Sequence, residues 1–224
     1  MTRRIAIDGP SGAGKSTVGH ALARRIDATF VDTGLMYRAL TLAALERGLD
    51  LDDGQALGSL VGESAIEVER PGADQPDRLE TVLLDGRDVT DDVRAPRVDR
   101  AVSAVSRHAE VRDAMLSVQR AAAVRGDTVM VGRDIGTVVL PDASLKVYLD
   151  ADAPIRATRR AAEMGDRSRT AEYLEEIRRR DAADTDRAVA PLREAEGSLH
   201  IDTGVLGVEG CVDAIVARLE AIGA

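Results

Sequence analysis

Short apolar runs alternate with longer stretches of helical periodicity along most of this chain. The first run, Arg4-Ile5-Ala6-Ile7-Asp8, is apolar at three successive positions, as a strand buried on both faces requires. From Lys15 to Ile26 the spacing changes, and Val18, Leu22 and Ile26 recur on one helical face. The same reading predicts further strands at Ala28–Asp32, Thr128–Val131, Leu145–Asp150 and Leu199–Asp202. Helices are expected at about Leu35–Arg47, Ala95–Arg125, Pro154–Met164, Ala171–Asp181 and Val208–Ile222. Strands separated by helices imply an α/β fold with a central parallel five-stranded sheet covered by helices on both faces.

Two regions break the alternation. From about residue 62 to 93 the pattern turns to strand-like runs, Ala65–Glu69 and Leu79–Leu84, joined by the Pro/Gly-rich Pro71–Pro76. Asp85-Gly86 is a hairpin turn signal, so a small antiparallel insertion is expected there. The second region, about residues 156 to 187, carries nine arginines interleaved with eight acids around Gly165–Thr170. It reads either as a solvated surface laced with i,i+4 ion pairs or as a mobile lid that closes over phosphates. The whole is expected to be one domain of 224 residues with an insertion and a lid, without internal repeats.

Composition narrows the chemistry. Aromatic residues make up 2% of the chain (Phe30, Tyr37, Tyr148 and Tyr173), too few for base-stacking platforms. A net charge of −9 opposes binding to a nucleic-acid backbone, so no nucleic-acid partner is expected. An anionic substrate would have to be held by local arginines. One cysteine, Cys211, leaves no intrachain disulfide, and its neighbours Val212, Ile215 and Leu219 suggest a packing role. His20, His108 and His200 have no metal-ligand spacing. Without a signal peptide pattern or an apolar run near 18 residues, a cytoplasmic protein with no membrane partner is expected, and a monomer.

The motif that carries most chemistry is Gly9-Pro10-Ser11-Gly12-Ala13-Gly14-Lys15-Ser16-Thr17, between the first strand and the first helix. It fits the loop that cradles nucleoside triphosphate phosphates. Glycines let backbone N–H groups converge on one anion, and the helix that follows adds the positive end of its dipole. Lys15 can reach the β and γ phosphates, and the Ser16 hydroxyl can ligate Mg²⁺. Only two lysines occur against 28 arginines, and one of them stands here. The loop by itself takes ATP or GTP; no asparagine occurs, so the Asn-Lys-x-Asp element that reads guanine is missing, which weakens a GTPase reading.

A kinase also needs an acceptor site, and four clusters offer one. Asp32-Thr33-Gly34-Leu35-Met36-Tyr37-Arg38 follows the second strand. Ser103, Arg107 and Arg112 lie along the helical stretch after the insertion, and Gly132-Arg133-Asp134-Ile135-Gly136-Thr137 follows the third strand. Arg180, Asp181, Asp184 and Arg187 precede Ala188-Val189-Ala190-Pro191-Leu192. Loops leaving the carboxyl ends of parallel strands share one crevice, so the first and third clusters should flank the phosphate loop.

Ile-Asp-Gly-Pro-Ser-Gly-Ala-Gly-Lys, Asp-Thr-Gly-x-Met-Tyr-Arg, Val-Arg-x6-Gln-Arg, Gly-Arg-Asp-Ile-Gly-Thr-Val-Val and Arg-Asp…Arg-Ala-Val-Ala-Pro-Leu stand here in order. In this the chain resembles bacterial cytidylate kinase, of the nucleoside monophosphate kinase-like P-loop family, over essentially its whole length. The resemblance implies transfer of the γ-phosphoryl of ATP to CMP or dCMP, with Mg²⁺. It implies a P-loop kinase fold with an enlarged monophosphate-binding insertion, which Gly62–Val93 matches. It further implies that Arg38 and Arg133 clamp the acceptor phosphate and that Ser103, Arg112 and Asp134 face the cytosine. Arg180, Asp184 and Arg187 would contact pentose or phosphates, Thr33 the acceptor, and Arg156 and Arg160 the ATP. Departures from the family pattern fall at Ala182, Ala183 and Thr185, where more basic residues are usual.

The residues themselves leave other roles open. Asp32 and Thr33 could cap the helix starting near Leu35, Ser103 could sit at a helix packing face, and Arg112 could pair structurally with Asp134. A kinase for another small acceptor, or a nucleotide-binding switch, would share the phosphate loop.

Overall fold

The computed structural model describes residues 2–72, 75, 78–124, 126–186 and 189–223, and the chain divides into two compact units. The first comprises Met1–Ala28 and Val129–Ala224, the second Thr29–Thr128.

In the first unit, strand β1 (Arg4–Asp8) runs parallel to β7 (Leu145–Asp150), with Ile5 opposite Leu145 and Asp8 opposite Tyr148. Strand β8 (Leu199–Asp202) continues on the far side of β7, again parallel. With β6 (Thr128–Val131), and with β2 (Thr29–Asp32) from the start of the second unit, the five-stranded sheet has the order β2-β6-β1-β7-β8. Ile5, Ala6, Ile7, Val129, Met130 and Val131 are buried, as the continuous apolar runs require of strands covered on both faces, while β7 alternates buried Leu145, Val147 and Leu149 with half-buried Lys146, Tyr148 and Asp150. Since β1 lies mid-sheet, the loop leaving its carboxyl end opens where successive connections diverge to opposite sides. Helix α1 (Lys15–Arg25) buries Val18, Leu22 and Ala23. Helix α8 (Val208–Ala221) buries Cys211, Val212, Ile215 and Leu219, and burial pushes the Cys211 thiol up, as a packing residue requires.

Helices α6 (Ala153–Glu163) and α7 (Thr170–Thr185) form a hairpin with its own small core of Ala157, Ala161, Tyr173 and Ile177. The segment between them is ordered locally. Gly165 takes a left-handed conformation, and Asp166 caps a short 3₁₀ turn at Arg167–Arg169 through the Ser168 N–H. Among the described residues, no helix is long and apolar enough to cross a membrane.

The second unit carries α2 (Thr33–Glu46), α3 (Gly54–Glu63), α4 (Pro96–Ser106), α5 (Ala109–Ala122) and an antiparallel sheet of β3 (Ile66–Glu69), β4 (Thr81–Leu84) and β5 (Arg87–Asp88). The insertion thus has the expected antiparallel form. Asp85 and Gly86 both have positive φ, 52° and 77°, the turn that suits the twist of two-residue hairpins. Of the expected Pro71–Pro76 connection, residues 73, 74 and 76 lie outside the described residues.

Two expectations are corrected. The single helix expected over Ala95–Arg125 is two helices, broken where His108 adopts an extended conformation and its Nε2 meets the Leu51 carbonyl at 2.9 Å. Helix α3 has no counterpart among the expected helices, and three glycines, Gly54, Gly58 and Gly62, lie along it. The glycines serve close approach. A Cβ on Gly54 would lie 2.7 Å from Glu110 Oε2 and 2.8 Å from His108 Nδ1, so α3 nests against the start of α5.

Candidate active site

The phosphate loop has the backbone that its sequence requires. Gly9 has φ of +148°, and a Cβ there would sit 2.0 Å from the Leu149 carbonyl oxygen, so no other residue fits. Gly14, left-handed at φ 85°, turns the chain into α1. That helix starts without a side-chain cap and without an acid in its first turn. Its first N–H groups therefore form a donor cluster of the kind that takes phosphate. Lys15 is buried at this terminus, with Nζ donating to the Pro10 carbonyl at 2.7 Å. Ser16 and Thr17 follow in the same turn. The loop is also held from beyond it, since the Thr203 hydroxyl contacts the Ala13 and Asp150 carbonyls at 3.1 Å.

The Gly-Arg-Asp loop leaves β6 within the same unit. Gly132 N–H donates to Ile7 O at 3.0 Å, and Arg133 donates through Nη1 to Gly9 O at 3.2 Å and through Nε to Asp184 at 2.8 Å. Asp134 is buried and begins a π turn at Ile135–Val139. Asp8, which the motif reading passed over, accepts the N–H groups of Ile135 and Gly136, each at 2.7 Å. Burial is the main reason its carboxyl is pushed up to about 6; the two N–H bonds and Lys15 oppose this and Asp134 adds to it. The signal that could have found Asp8 is an acid ending a strand that is otherwise apolar.

Arg156 and Asp184, from the arginine-rich region, are bonded inward. Arg156 is buried, donating to Ala151 O at 2.7 Å, to Ser11 O at 2.9 Å, and to both Asp181 carboxylate oxygens at 3.1 and 2.7 Å. It thereby joins the phosphate loop, α6 and α7. Asp184, one turn beyond Asp181, takes Arg133. Arg160 pairs with Glu163 at 3.6 Å, and Arg180 is half-buried on α7. Arg187 and the adjoining Ala188 lie outside the described residues.

The second unit presents its candidates by itself. Asp32 caps α2 by accepting from Gly34 N–H at 2.9 Å, the capping role weighed above, and Thr33 is buried behind it. Arg38 donates to Val93 O at 3.2 Å and to Asp99 at 2.5 Å. Arg112 is buried, stacks 5.5 Å from the Tyr37 ring centroid and donates to Ser106 O at 3.2 Å. Ser103 is exposed on α4, which overturns its alternative role as a packing residue: the apolar face of α4 is Val98, Ala101, Val102 and Val105. Arg107 pairs with Asp52. Nearby, burial and the Asp32 carboxylate push the Glu80 carboxyl up to about 7, against the pull of Arg94 at 2.9 Å.

Residues 5–221 match the family model described as cytidylate kinase. A cytidylate kinase of Exiguobacterium sibiricum is 46% identical over 219 residues, covering 96% of this chain and 94% of that protein. One of a Geobacillus species (strain WCH70) is 46% identical with 95% and 94% covered, and one of Rhodococcus jostii 44% identical with 96% and 92% covered. Among solved structures, an uncharacterized protein from Eubacterium ventriosum shares the fold at a TM-score of 0.53 and 13% identity, over 99% of both chains. With a phosphate loop of this geometry and a match that runs nearly end to end, the chain belongs to the cytidylate kinase family.

Proposed function

We propose that this protein transfers the γ-phosphoryl group of ATP to CMP or dCMP, giving ADP and CDP or dCDP. The observation that carries the reading is the pairing of two loops in one unit. The uncapped start of α1 with Lys15 suits the donor's phosphates, and the Gly-Arg-Asp loop beside it is bonded to Gly9. Residues Gly9, Pro10, Ser11, Gly12, Ala13, Gly14, Lys15, Ser16 and Thr17 hold the ATP phosphates, with Arg156 and Arg160 near the same nucleotide. Arg38 and Arg133 take the acceptor phosphate as planar forks, and Thr33 assists.

Ser103, Arg112 and Asp134 read the base. Cytosine has an exocyclic amine beside two acceptors, so a carboxylate suits the amine, and hydroxyl and guanidinium donors suit the rest. Uracil would set a carbonyl against Asp134, an unpaired acceptor facing a negative charge. Arg180, Asp184 and Arg187 reach the pentose or the phosphates when the arginine-rich region, about 156–187, closes as a lid on a single kinase domain with its insertion at about 62–93. Closure means that Arg133 and Arg156 exchange Asp184 and Asp181 for phosphate oxygens, which leaves both carboxylates able to accept from hydroxyls.

No covalent intermediate is needed. The acceptor oxygen is anionic at neutral pH, so positioning and charge neutralisation do the chemistry. The donor set suits Mg²⁺, which keeps waters and substrate phosphates as ligands and needs one or two protein oxygens; the Ser16 hydroxyl supplies one. When bound, Mg²⁺ neutralises charge on the transferred phosphoryl group. Lys15 and the α1 N–H groups orient the phosphates, and lid closure excludes water that would hydrolyse ATP. The reading carries with it a monomeric, cytoplasmic enzyme.

An acceptor panel tests it. Coupled ADP release with ATP and Mg²⁺ should rise well above the acceptor-free rate with CMP and dCMP, weakly with UMP and not with a purine monophosphate. Equal rates with and without CMP would reject it.

A further inference from the structure

Asp8 ends β1 one residue before Gly9 and is 2% exposed. Its two oxygens accept two consecutive N–H groups, those of Ile135 and Gly136, at 2.7 Å each. These N–H groups open the π turn that follows Arg133 and Asp134, and that turn has no side-chain cap of its own. A helical start leaves its first N–H groups without intrahelical partners, so Asp8 is a cap delivered from a neighbouring strand. π turns are rare and frequently stand at functional sites.

The surroundings leave the turn little play. A Cβ on Gly136 would stand 3.3 Å from Asp8 Oδ2, from the Ala195 Cβ and from the Lys146 Cγ. Gly132 is bonded to Ile7 and Arg133 to Gly9. Three connections therefore tie one strand end to one loop, and Asp8 supplies two hydrogen bonds of the four. A carboxylate buried here is costly, since a neutral group would avoid the desolvation that perturbs its titration. Only a carboxylate offers an acceptor oxygen to each of the two N–H groups, which a neutral amide of the same shape could not do.

We propose that Asp8 is a positioning residue that holds Arg133 and Asp134 in register with the phosphate loop, and so sets which acceptor base is taken rather than how tightly ATP binds. The inference rests on the proposed reading of Asp134 as the group that faces the cytosine amine. Asp8 itself touches neither nucleotide.

Asp8→Asn tests it. An amide of the same shape has one acceptor oxygen, and its NH₂ would face the second N–H, donor against donor. CMP efficiency (kcat/KM) should fall roughly 10²-fold, as a misplacement near 1 Å can cost. UMP efficiency should fall much less, so the CMP:UMP ratio narrows. ATP affinity, read by titration, should stay within about threefold, while the Tm should fall by a few degrees at most, because the donor clash is offset by removal of a buried charge. Gly136→Ala, which crowds the same contact while leaving Asp8 in place, should narrow the ratio too. An unchanged ratio in either folded variant, equal losses for both acceptors, or loss of ATP affinity would overturn the inference. So would failure of both variants to fold, which would make the contact architectural. Wild-type protein is the control that separates the two readings: without CMP-dependent turnover it is the proposed function that fails.

Discussion

In the first unit, three charged groups around the phosphate loop are buried and answer to the main chain. Lys15 donates to Pro10 O, Asp8 accepts two N–H groups, and Arg156 donates to Ala151 O and Ser11 O. In the second unit the partners are mostly other side chains, and solvent reaches them. Arg38 and Asp99 are about one-fifth exposed, Arg94 about half, and Arg78 spans Asp88 and Asp91 at the insertion. A group bonded to backbone has one geometry for as long as the fold lasts. A half-exposed ion pair contributes little and can exchange its carboxylate for a ligand's phosphate at small cost. The comparison assigns fixed, preorganised chemistry to the donor side and exchangeable chemistry to the arginines of the acceptor side.

The largest effect that tests this division belongs to Lys15. Lys15→Ala should lower kcat by roughly 10³-fold while leaving the Tm within a few degrees, since it removes charge from the phosphates and little from the core. Near-wild-type turnover would remove the lysine from the donor site. Next comes Asp134→Ala, expected to cost CMP roughly 10²-fold in kcat/KM and UMP much less. Equal losses would assign Asp134 to the loop or the metal rather than to the base.

The Arg156–Asp181 bridge is the place where backbone-bonded and exchangeable chemistry meet. Asp181→Ala leaves a buried guanidinium with carbonyl partners only, and should destabilise the protein by about 2 kcal/mol in denaturant unfolding. No change would mean that the pair contributes nothing to holding α7. The smallest effect concerns Glu80 in the second unit. Its raised carboxyl means that the native state keeps a proton which the unfolded chain releases, so stability falls as pH rises from about 4.5 through about 7. Glu80→Gln can still accept from Arg94 and can donate towards Asp32. It should flatten that slope and stabilise the protein by roughly 1–2 kcal/mol at pH 8. A variant that keeps the slope would place the proton elsewhere.

Local rules explain what could be read before folding. The phosphate loop and the Asp85-Gly86 turn are written in residues whose backbone preferences are strong, and β1 and β6 in apolar runs that only a covered strand would carry. The parts that escaped depend on contacts made at a distance in sequence. Helix α3 exists because Gly54 and Gly58 admit the start of α5, which no window of its own sequence contains. The break at His108 follows from a hydrogen bond to Leu51, while the apolar spacing runs on through it. Asp8 looked like the last residue of a strand, and its role appears only when Ile135 and Gly136 come within reach. Arginines posed the opposite difficulty. Their abundance hid that Arg156 is a buried cross-link and that Arg133 is already engaged with Asp184.

The central claim is that the phosphoryl group passes from ATP to a cytidine monophosphate and not to water. Phosphorus NMR of the protein with ATP, Mg²⁺ and CMP reads this directly. The account predicts CDP and ADP growing in equal amounts with little inorganic phosphate. ADP accompanied by equal inorganic phosphate, with no CDP resonance, would contradict it.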